Sequence, residues 1–309
     1  MQLLVQPDDG IGPILRAIQT AQRSIDIHIF RLDRRLIERA LRDAIGRGVT
    51  VRTLIAHTAR GGEKALRKLE QRLLEIGATV SRSADDLVRY HGKIMIVDRE
   101  KLFVLGYNLT RNDIDRSRSL GISTKKPDLV LEALKLFEAD FDRNPYSGNA
   151  RDFLVSPQNA RERLTALIKG ARSELLIYGQ VTDNATIRVL EDRVRKGVSV
   201  RIIGKVEGGH DLSAEKYPGT RLHVRAIVRD RVRAFVGSMG PRRLELDARR
   251  EIGVIVRDPK VVRKILDVFE ADWAETDAGK KGNRKGRRKK ADRKRADRKR
   301  AEERLAVPA

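Results

Sequence analysis

The sequence contains no cysteine among its 309 residues. This absence excludes disulfide bonds, a thiolate nucleophile, and zinc or iron–sulfur sites held by cysteine. The sequence also lacks any run of about 20 apolar residues, the length that a helix needs to cross a bilayer. Its start, MQLLVQPDDG, lacks the charged and apolar segments of a secretory signal peptide. We therefore expect no transmembrane segment, and the cytoplasm as the compartment.

Aromatic residues are scarce, and acidic residues are fewer than basic ones. Aromatic residues make up 4% of the chain, which argues against the stacking platforms of proteins that bind single-stranded nucleic acid. The 43 acidic residues are outnumbered by 66 lysines and arginines, giving a formal net charge of +23. This surplus favours an anionic partner, either nucleic-acid phosphates or an anionic lipid surface. Hydrophobic residues still form 40% of the chain, which is enough for folded cores.

The chain contains an internal repeat. RSIDIHIF from Arg23 is matched by RSELLIYG from Arg172, about 150 residues later. HGKIMIVD from His91 is matched by HVRAIVRD from His223, about 130 residues later. The shorter second spacing means that the second copy lacks a helix-like segment, GGEKALRKLEQRLLEIGATV, which the first copy has before its histidine.

Each copy alternates amphipathic helices with β-branched strands, which predicts βαβ units and an α/β fold. The helices are predicted at 14–22, 35–45, 161–169 and 186–195. The string NPYSGNARDFLVSP is rich in Pro, Gly, Ser and Asn, and it places a boundary near residue 148. We predict a first half over 1–148, a second half over 149–276, and a disordered, basic, low-complexity tail over 277–309.

Two of the five histidines share the same sequence surroundings. The pattern H-x-(K/R)-x-x-x-x-D occurs twice, formed by His91, Lys93 and Asp98 and again by His223, Arg225 and Asp230. Residues at i and i+2 of a strand share a face, so each histidine points the same way as its cation. Two imidazoles and two cations around one pocket suit a phosphodiester, because the cations hold nonbridging oxygens while the imidazoles supply a nucleophile and a general acid. We expect no metal and no cofactor.

With these motifs the sequence resembles the phospholipase D superfamily, whose signature H-x-K-x-x-x-x-D followed by G-S-x-N occurs once in each of two tandem halves. The resemblance covers residues 1 to about 276. It implies two α/β/α sandwich halves related by a pseudo-twofold axis, with the active site at their interface. It also implies a two-step reaction through a phosphohistidine.

The resemblance carries over to particular residues. It implies His91 as the nucleophile and His223 as the general acid and base, with the reverse assignment left open. The G-S-x-N positions read LGYN from Leu105 and GSMG from Gly237, so each half keeps part of the pattern. The residues expected on the phosphate are Lys93, Asn108, Arg225 and Ser238, and the supporting residues are Asp98 and Asp230.

The signature also has an acid before a later glycine. Glu251 matches it in the second half, whereas the first half has Ser119. We expect Glu251 to hydrogen-bond the Nδ1 of His223 and fix its tautomer. His91 is then expected to lack a carboxylate. The remaining histidines, His28, His57 and His210, are expected to be structural or surface residues.

Three functions remain open from the sequence. The first is a metal-independent phosphodiesterase or phosphatidyltransferase acting on phospholipid, bound peripherally at the inner membrane face through its basic body and tail. The second is a nuclease with the same site, acting on a DNA or RNA backbone. The third is an inactive phosphate-binding module, suggested by the departures from the signature at Gly106, Ser119, Arg225 and Gly240. The sequence indicates no oligomeric state.

Overall fold

The computed structural model describes residues 1–58, 63–209 and 211–282. His210 and residues 283–309, which hold most of the predicted basic tail, lie outside the described residues. In the described ranges, no helix combines the length and apolar character needed to cross a membrane.

The first half alternates strands and helices as the repeat predicted. Its elements are β1 (Gln2–Gln6), α1 (Gly12–Gln19), β2 (Ser24–Ile29), α2 (Arg35–Gly46), β3 (Thr50–Ile55), α3 (Glu63–Glu75), β4 (Thr79–Arg82), β5 (Arg89–Tyr90), β6 (Ile94–Val97), β7 (Lys101–Leu105), α4 (Arg111–Asp115), β8 (Ser117–Thr124) and α5 (Pro127–Phe141). The helix-like segment predicted for this copy alone forms α3.

The second half follows the same order. Its elements are β9 (Phe153–Val155), α6 (Ala160–Lys169), β10 (Glu174–Val181), α7 (Asn184–Arg195), β11 (Ser199–Val206), β12 (Arg221–Leu222), β13 (Ala226–Arg229), β14 (Arg233–Gly237), α8 (Arg243–Asp247), β15 (Arg249–Arg250), β16 (Ile252–Val256) and α9 (Pro259–Ala274). The predicted boundary at residue 148 falls between α5 and β9.

Each half is built on one mixed sheet. The first sheet has the order β1-β8-β7-β6-β2-β3-β4, and the second has the order β11-β10-β13-β14-β16-β9. The central strands are apolar on both faces; Ile94–Val97, for example, reads IMIV and is wholly buried. Strands of this kind must be covered by helices on both sides. The fold is therefore α/β with two similar halves, as the sequence predicted.

The two sheets share a central core. One hydrophobic cluster joins residues of both sheets, such as Ile96 and Val228, with Phe137 of α5 and Phe269 of α9. Separate clusters cover the outer faces, under α1, α2 and α3 in the first half and under α6 and α7 in the second. Because α5 and α9 lie in the shared core, the halves pack against each other through a continuous apolar interior.

Both core helices begin with proline at a first-turn position, where its missing N–H would have no helical partner. In α9 the side chain of Asp258 also caps the helix by accepting from the backbone N–H of Lys260, at 3.0 Å. These local signals fix where the two helices start. They thereby set which residues reach the core.

Two short strand pairs cross between the halves. β12 pairs in parallel with β8, and β15 pairs in parallel with β5. The crossing continues into the motif histidines: the N–H of His91 donates to the carbonyl of Arg250 at 2.8 Å, and the N–H of His223 donates to the carbonyl of Arg118 at 2.9 Å. Each motif histidine is therefore attached to the backbone of the other half.

Candidate active site

His91 and His223 each follow one of these short crossing strands. Lys93 and Arg225 lie two residues further on, where β6 and β13 begin. Both imidazoles experience the positive charges of both Lys93 and Arg225. The structure thus brings the two histidines and the two cations of the motifs into one site at the interface between the halves.

Glu251 holds the imidazole of His91. Its Oε2 and Oε1 lie 2.8 and 2.9 Å from the Nδ1 of His91. The expectation that Glu251 pairs with His223 is therefore wrong, and so is the expectation that His91 lacks a carboxylate. The cause is the pairing of β15 with β5, which carries the end of β15 and the following Glu251 across the interface to the other half.

The tautomer of His91 follows from these contacts. Glu251 is fully buried, and its carboxylate accepts a hydrogen bond when Nδ1 carries the proton. The Nζ of Lys93 lies 3.1 Å from the same nitrogen, where it could donate only if Nδ1 were bare. Because the carboxylate supplies two close acceptor oxygens, we assign the proton to Nδ1. The Nε2 of His91 then carries the free lone pair.

Burial lowers the pKa of His91 well below its usual value, and the neighbouring charge of Lys93 lowers it further. The same burial raises the pKa of Glu251. Phe30 contributes to this apolar setting, since its ring packs edge-on against the imidazole with centroids 4.4 Å apart. The lowered pKa favours a neutral His91, which is the nucleophilic form of an imidazole.

His223 lies beside Asp113, a residue that the sequence analysis did not select. The Nδ1 of His223 is 3.3 Å from the Oδ2 of Asp113, although the ring is not aligned for a hydrogen bond. Asp113 is held by the Asn108 backbone N–H at 2.9 Å and by the Asn108 side-chain amide at 2.6 Å. A second ion pair joins it to Arg221, at 2.5 Å.

The repeat contained a signal for Asp113. It occupies the position that Glu245 has in the second copy, and both are acids. Glu245 is fully buried and lies 3.3 Å from the Nη2 of Arg225. Its other oxygen accepts from the Gly240 N–H at 2.8 Å. A comparison of the acidic positions in the two copies with each other would have identified Asp113 and Glu245 as equivalent. A comparison of each copy with the signature does not.

The cations of the site differ in their surroundings. Lys93 is almost completely buried, and burial lowers its pKa to about 7. Arg225 is more exposed, at 17% of its side chain, and is paired with Glu245. Burial lowers the pKa of His223 to about 2, and the charge of Arg225 is the next cause. Lys93 and Arg225 thus place two cationic groups beside the two imidazoles, one of them paired with a carboxylate.

Two residues expected on the phosphate have other contacts. The side-chain amide of Asn108 donates to Asp113, as described above, and its Oδ1 is buried without a partner. The Oγ of Ser238 accepts from the N–H of Ile252 at 3.1 Å and lies 3.3 Å from the carbonyl of the same residue. Ser238 therefore braces the strand that follows Glu251. The structure gives it no direct place on a phosphate.

Asp98 and Asp230 do not line the site. Each lies in the turn after its motif strand, at the opposite end from the histidine, with a φ of 55° for Asp98 and 48° for Asp230. The carboxylate of Asp98 accepts from the N–H groups of residues 22–24, and that of Asp230 accepts from those of residues 172–174. The two aspartates thus anchor β2 and β10. Expected as supporting residues of the site, they support the backbone at the far ends of the motif strands rather than the histidines.

Of the remaining histidines, His28 is buried under Tyr90, with ring centroids 6.3 Å apart, and burial lowers its pKa to about 3. His57 is exposed after β3. His210 lies outside the described residues. The two described histidines therefore occupy structural and surface positions, as expected.

A cationic cleft of about 620 Å³ opens beside His223. Five cations and one carboxylate line it: Lys205, Lys216, Arg221, Arg225, Arg242 and Glu245. Gly179, Gly204 and Gly240 form part of its wall, and the carbonyl of Gly179 lies 1.9 Å from where a side chain on Gly204 would begin. The cleft gives a phosphate-bearing molecule an electropositive approach to His223.

Residues 14–142 match the family described as "Cardiolipin synthase, PLD-like domain". The chain is 25% identical over 295 residues to a polyphosphate kinase of Klebsiella pneumoniae, covering 82% of this chain and 41% of that protein. It therefore spans less than half the length of this curated relative.

Two solved structures share the fold over both halves. Polyphosphate kinase from Porphyromonas gingivalis superposes with a TM-score of 0.74 at 20% identity, covering 87% of this chain and 49% of that one. Phosphatidylserine synthase from Haemophilus influenzae superposes with a TM-score of 0.69 at 9% identity, covering 89% of this chain and 86% of that one. The resemblance to the phospholipase D superfamily that the two motifs indicated is confirmed by the family match of residues 14–142 to a PLD-like domain, and the two solved structures show that the fold is shared over both halves.

Proposed function

We propose that this member of the phospholipase D superfamily transfers a phosphorus-centred group in two steps through a phosphohistidine on His91. The observation that carries the proposal is the crossed pairing of the site, in which Glu251 holds His91 and Asp113 lies beside His223. Each carboxylate faces Nδ1, so that Nε2 of each ring is the nitrogen left for the substrate. The distance from Nδ1 to the carboxylate is 2.8 Å at His91 and 3.3 Å at His223, and the shorter distance favours His91 as the nucleophile.

In the first step, the lone pair of His91 Nε2 forms a bond to phosphorus as the bond to the leaving oxygen breaks. His223 gives a proton to that oxygen. In the second step, His223 takes a proton from water or an alcohol, which attacks phosphorus and releases His91. Lys93 and Arg225 hold the nonbridging oxygens in both steps and balance their charge.

The general acid must be protonated, yet burial lowers the pKa of His223, and the charges of Arg225 and Lys93 lower it further. The negative charge of a bound phosphate opposes the part of this shift that comes from the two cations, and so favours the charged form of His223.

The cleft favours a substrate that presents several phosphate groups. Its five cations would hold oxyanions along a chain that extends from the reacting phosphorus, and few apolar side chains line it. The similarity to two polyphosphate kinases supports the same class of substrate. We propose a linear polyanion, either a polyphosphate or a nucleic-acid backbone, as the first candidate.

The second candidate substrate is phospholipid, which was the first hypothesis from the sequence. A different cavity supports it. A cavity of about 480 Å³ adjoins Phe30, and its lining includes the apolar side chains of Leu32, Ala65, Leu66 and Leu69. Apolar lining of this kind could accept part of an acyl chain. The match to the cardiolipin synthase family supports this candidate.

The reaction can be tested with bis(p-nitrophenyl) phosphate in EDTA, using wild type, His91→Ala, His223→Ala and the exposed control His57→Ala. Nitrophenolate leaves without a proton, so His223→Ala should still form the bond to His91 and accumulate the phosphohistidine. Peptide mapping at alkaline pH locates the modified residue. His91→Ala should form no adduct. An adduct on His223 in His91→Ala would reverse the assignment, and turnover by both variants would refute the proposal.

Substrate class is then tested with long-chain polyphosphate, with single- and double-stranded DNA, and with vesicles that contain phosphatidylglycerol and cardiolipin. Consumption of polyphosphate or DNA that is lost in His91→Ala supports the polyanion. Headgroup release from vesicles alone supports phospholipid. Inactivity on every substrate, including the nitrophenyl ester, favours the phosphate-binding module.

A further inference from the structure

A second cluster of cations lies far from the histidines. The arginine pocket is a cavity of about 330 Å³ in the second half, lined by Arg151, Arg163, Arg229, Arg233 and Arg257. Arg229 ends β13, whereas His223 precedes that strand. An extended chain rises about 3.3 Å per residue, so these two residues lie on the order of 20 Å apart. The arginine pocket is therefore separate from the cleft and from the proposed reaction.

The protein balances only part of this charge. Asp152 is the carboxylate among the described lining residues, and Arg257 donates three hydrogen bonds to it, of 2.8, 2.8 and 3.0 Å. Arg163 donates instead to backbone carbonyls, including that of Phe153 at 2.9 Å. The Nε of Arg229 lies 3.3 Å from Asp230, whose carboxylate is already engaged by three backbone N–H groups.

The side chains of Arg151 and Arg233 have no hydrogen bond or ion pair within residues 1–58, 63–209 and 211–282. The charge of Arg257 is the largest cause of a lowered pKa at Arg233, and the charges of Arg229 and Arg151 act in the same direction. Like charges held this close raise the free energy of the folded state unless an anion is present. The positions of the arginines thus favour an anionic ligand.

We propose that the arginine pocket binds a small anion that carries more than one phosphate group. Guanidinium groups bind phosphate oxygens in planar, two-point contacts, and several arginines around one cavity suit several such groups. The volume lies at the small end of the range for ligand sites, which favours a small ligand. Ala166, Leu167 and Ile255 form the apolar side of the pocket.

The anion could be a free polyphosphate or the phosphate tail of a nucleotide, and the experiment separates these sources. Tripolyphosphate, ADP and AMP are titrated into the full chain by calorimetry at 150 mM salt. The variants are Arg233→Ala and Arg151→Ala, and the control is Arg263→Ala on the exposed face of α9. We expect Arg233→Ala to weaken the binding of tripolyphosphate about tenfold or more, and Arg263→Ala to leave it unchanged. Tighter binding of ADP than of tripolyphosphate identifies a nucleotide as the ligand.

Because the histidine site can also bind phosphate, a second measurement locates the ligand. Arginine modification by phenylglyoxal is followed residue by residue with mass spectrometry, with and without tripolyphosphate. Protection of Arg233 and Arg151, but not of Arg263, supports the proposal. Equal modification of Arg233 in both conditions, or wild-type affinity in Arg233→Ala, overturns it. Hydrolysis of bis(p-nitrophenyl) phosphate by Arg233→Ala should equal that of wild type, so this proposal can fail without affecting the proposed reaction.

Discussion

Glu251 of the second half lies 2.8 Å from the Nδ1 of His91 of the first half, and it is fully buried there. Neither half alone can therefore orient this imidazole. In the proposed reaction, the carboxylate fixes the tautomer and stabilises the charge that develops on the ring when Nε2 attacks phosphorus. The interface between the halves would then be part of the chemistry as well as of the fold.

Glu251→Gln keeps the shape of this side chain but removes its charge. We expect the rate of phosphohistidine formation to fall at least a hundredfold, because the amide can donate to Nδ1 and favour the wrong tautomer. The measurement is the burst of nitrophenolate from bis(p-nitrophenyl) phosphate. Glu162→Gln, at an exposed position of α6, is the matched control. A burst of wild-type rate in Glu251→Gln would show that the pairing does not assist the attack.

Asp113→Asn tests the other half of the crossed pairing. Asp113 is proposed to stabilise the charged form of His223, which the first step needs only when the leaving oxygen must be protonated. We expect the first-step burst of nitrophenolate from an alkyl nitrophenyl diester to lose little, and the first step on a dialkyl ester to lose about tenfold or more. The ratio of the two first-step rates is the readout. Equal losses on both substrates would assign Asp113 to folding rather than to the acid.

The sequence could predict the histidines and their cations because each set is local. His91 with Lys93, and His223 with Arg225, are close in the chain, and the repeat marked them as equivalent. The partner of Glu251 was missed because it depends on two short strands, β5 and β15, that pair across the interface between the halves. No local pattern encodes that crossing.

The preceding case is a contact that sequence reasoning missed. The two motif aspartates are residues that it placed too close to the histidines. Asp98 and Asp230 are part of the signature, so the resemblance predicts that they support the site of the histidines. A strand of several residues separates them from it, and their carboxylates instead anchor the backbone of β2 and β10. Asp113, which lies beside His223, is not part of the signature and was visible only as the counterpart of Glu245. A residue's place in the motif therefore predicted that it occurs in both copies, but it did not predict where its side chain acts.

The lowered pKa of Lys93 predicts that anion binding at the site depends on pH. Burial lowers this pKa to about 7, so Lys93 is cationic below pH 7 and loses its charge above it. An anion that binds the cation should therefore bind more weakly as pH rises through 7. We expect the inhibition constant of sulfate, which does not titrate in this range, to increase by up to about tenfold per pH unit above pH 7. Sulfate inhibition of nitrophenyl ester hydrolysis between pH 6 and 9 measures it.

Arg233→Ala is the control for this experiment, because it removes a cation of the arginine pocket and leaves Lys93 in place. Its sulfate inhibition should follow the wild-type pH profile. A constant inhibition constant across pH 6 to 9 in the wild type would mean that Lys93 keeps one charge state throughout, contrary to this prediction.

Arg250 and Asp140 form a buried ion pair between the halves, 3.0 Å apart, with 3% and 1% of their side chains exposed. Arg118 and Asp272 form the equivalent contact at 3.2 Å with the halves exchanged. Arg250 precedes Glu251 directly, so the first pair also fixes the strand that delivers the carboxylate to His91. Arg250→Met removes the cation and leaves the carboxylate of Asp140 buried. We expect a loss of about 3–5 kcal/mol in the free energy of unfolding at pH 7.

This loss should depend on pH in a defined direction. Burial raises the pKa of Asp140 to about 6 even though Arg250 opposes the shift. In wild type, the raised pKa means that stability falls as pH rises from about 4 to 6 and then levels off, because the folded state binds the proton more tightly. Without Arg250 the pKa rises further, so stability continues to fall above pH 6. The difference between Arg250→Met and wild type should therefore widen from pH 6 to 8.

Urea denaturation at pH 6, 7 and 8 measures this difference. Adding Asp140→Asn to Arg250→Met replaces the carboxylate with a neutral amide, so the double variant should recover part of the stability and lose the added pH dependence. Arg263→Met, whose partner Asp267 is 63% exposed, should change stability by less than about 1 kcal/mol. If the loss in Arg250→Met is the same at all three pH values, Asp140 does not carry a buried charge, and the connection between the halves rests on the shared apolar core.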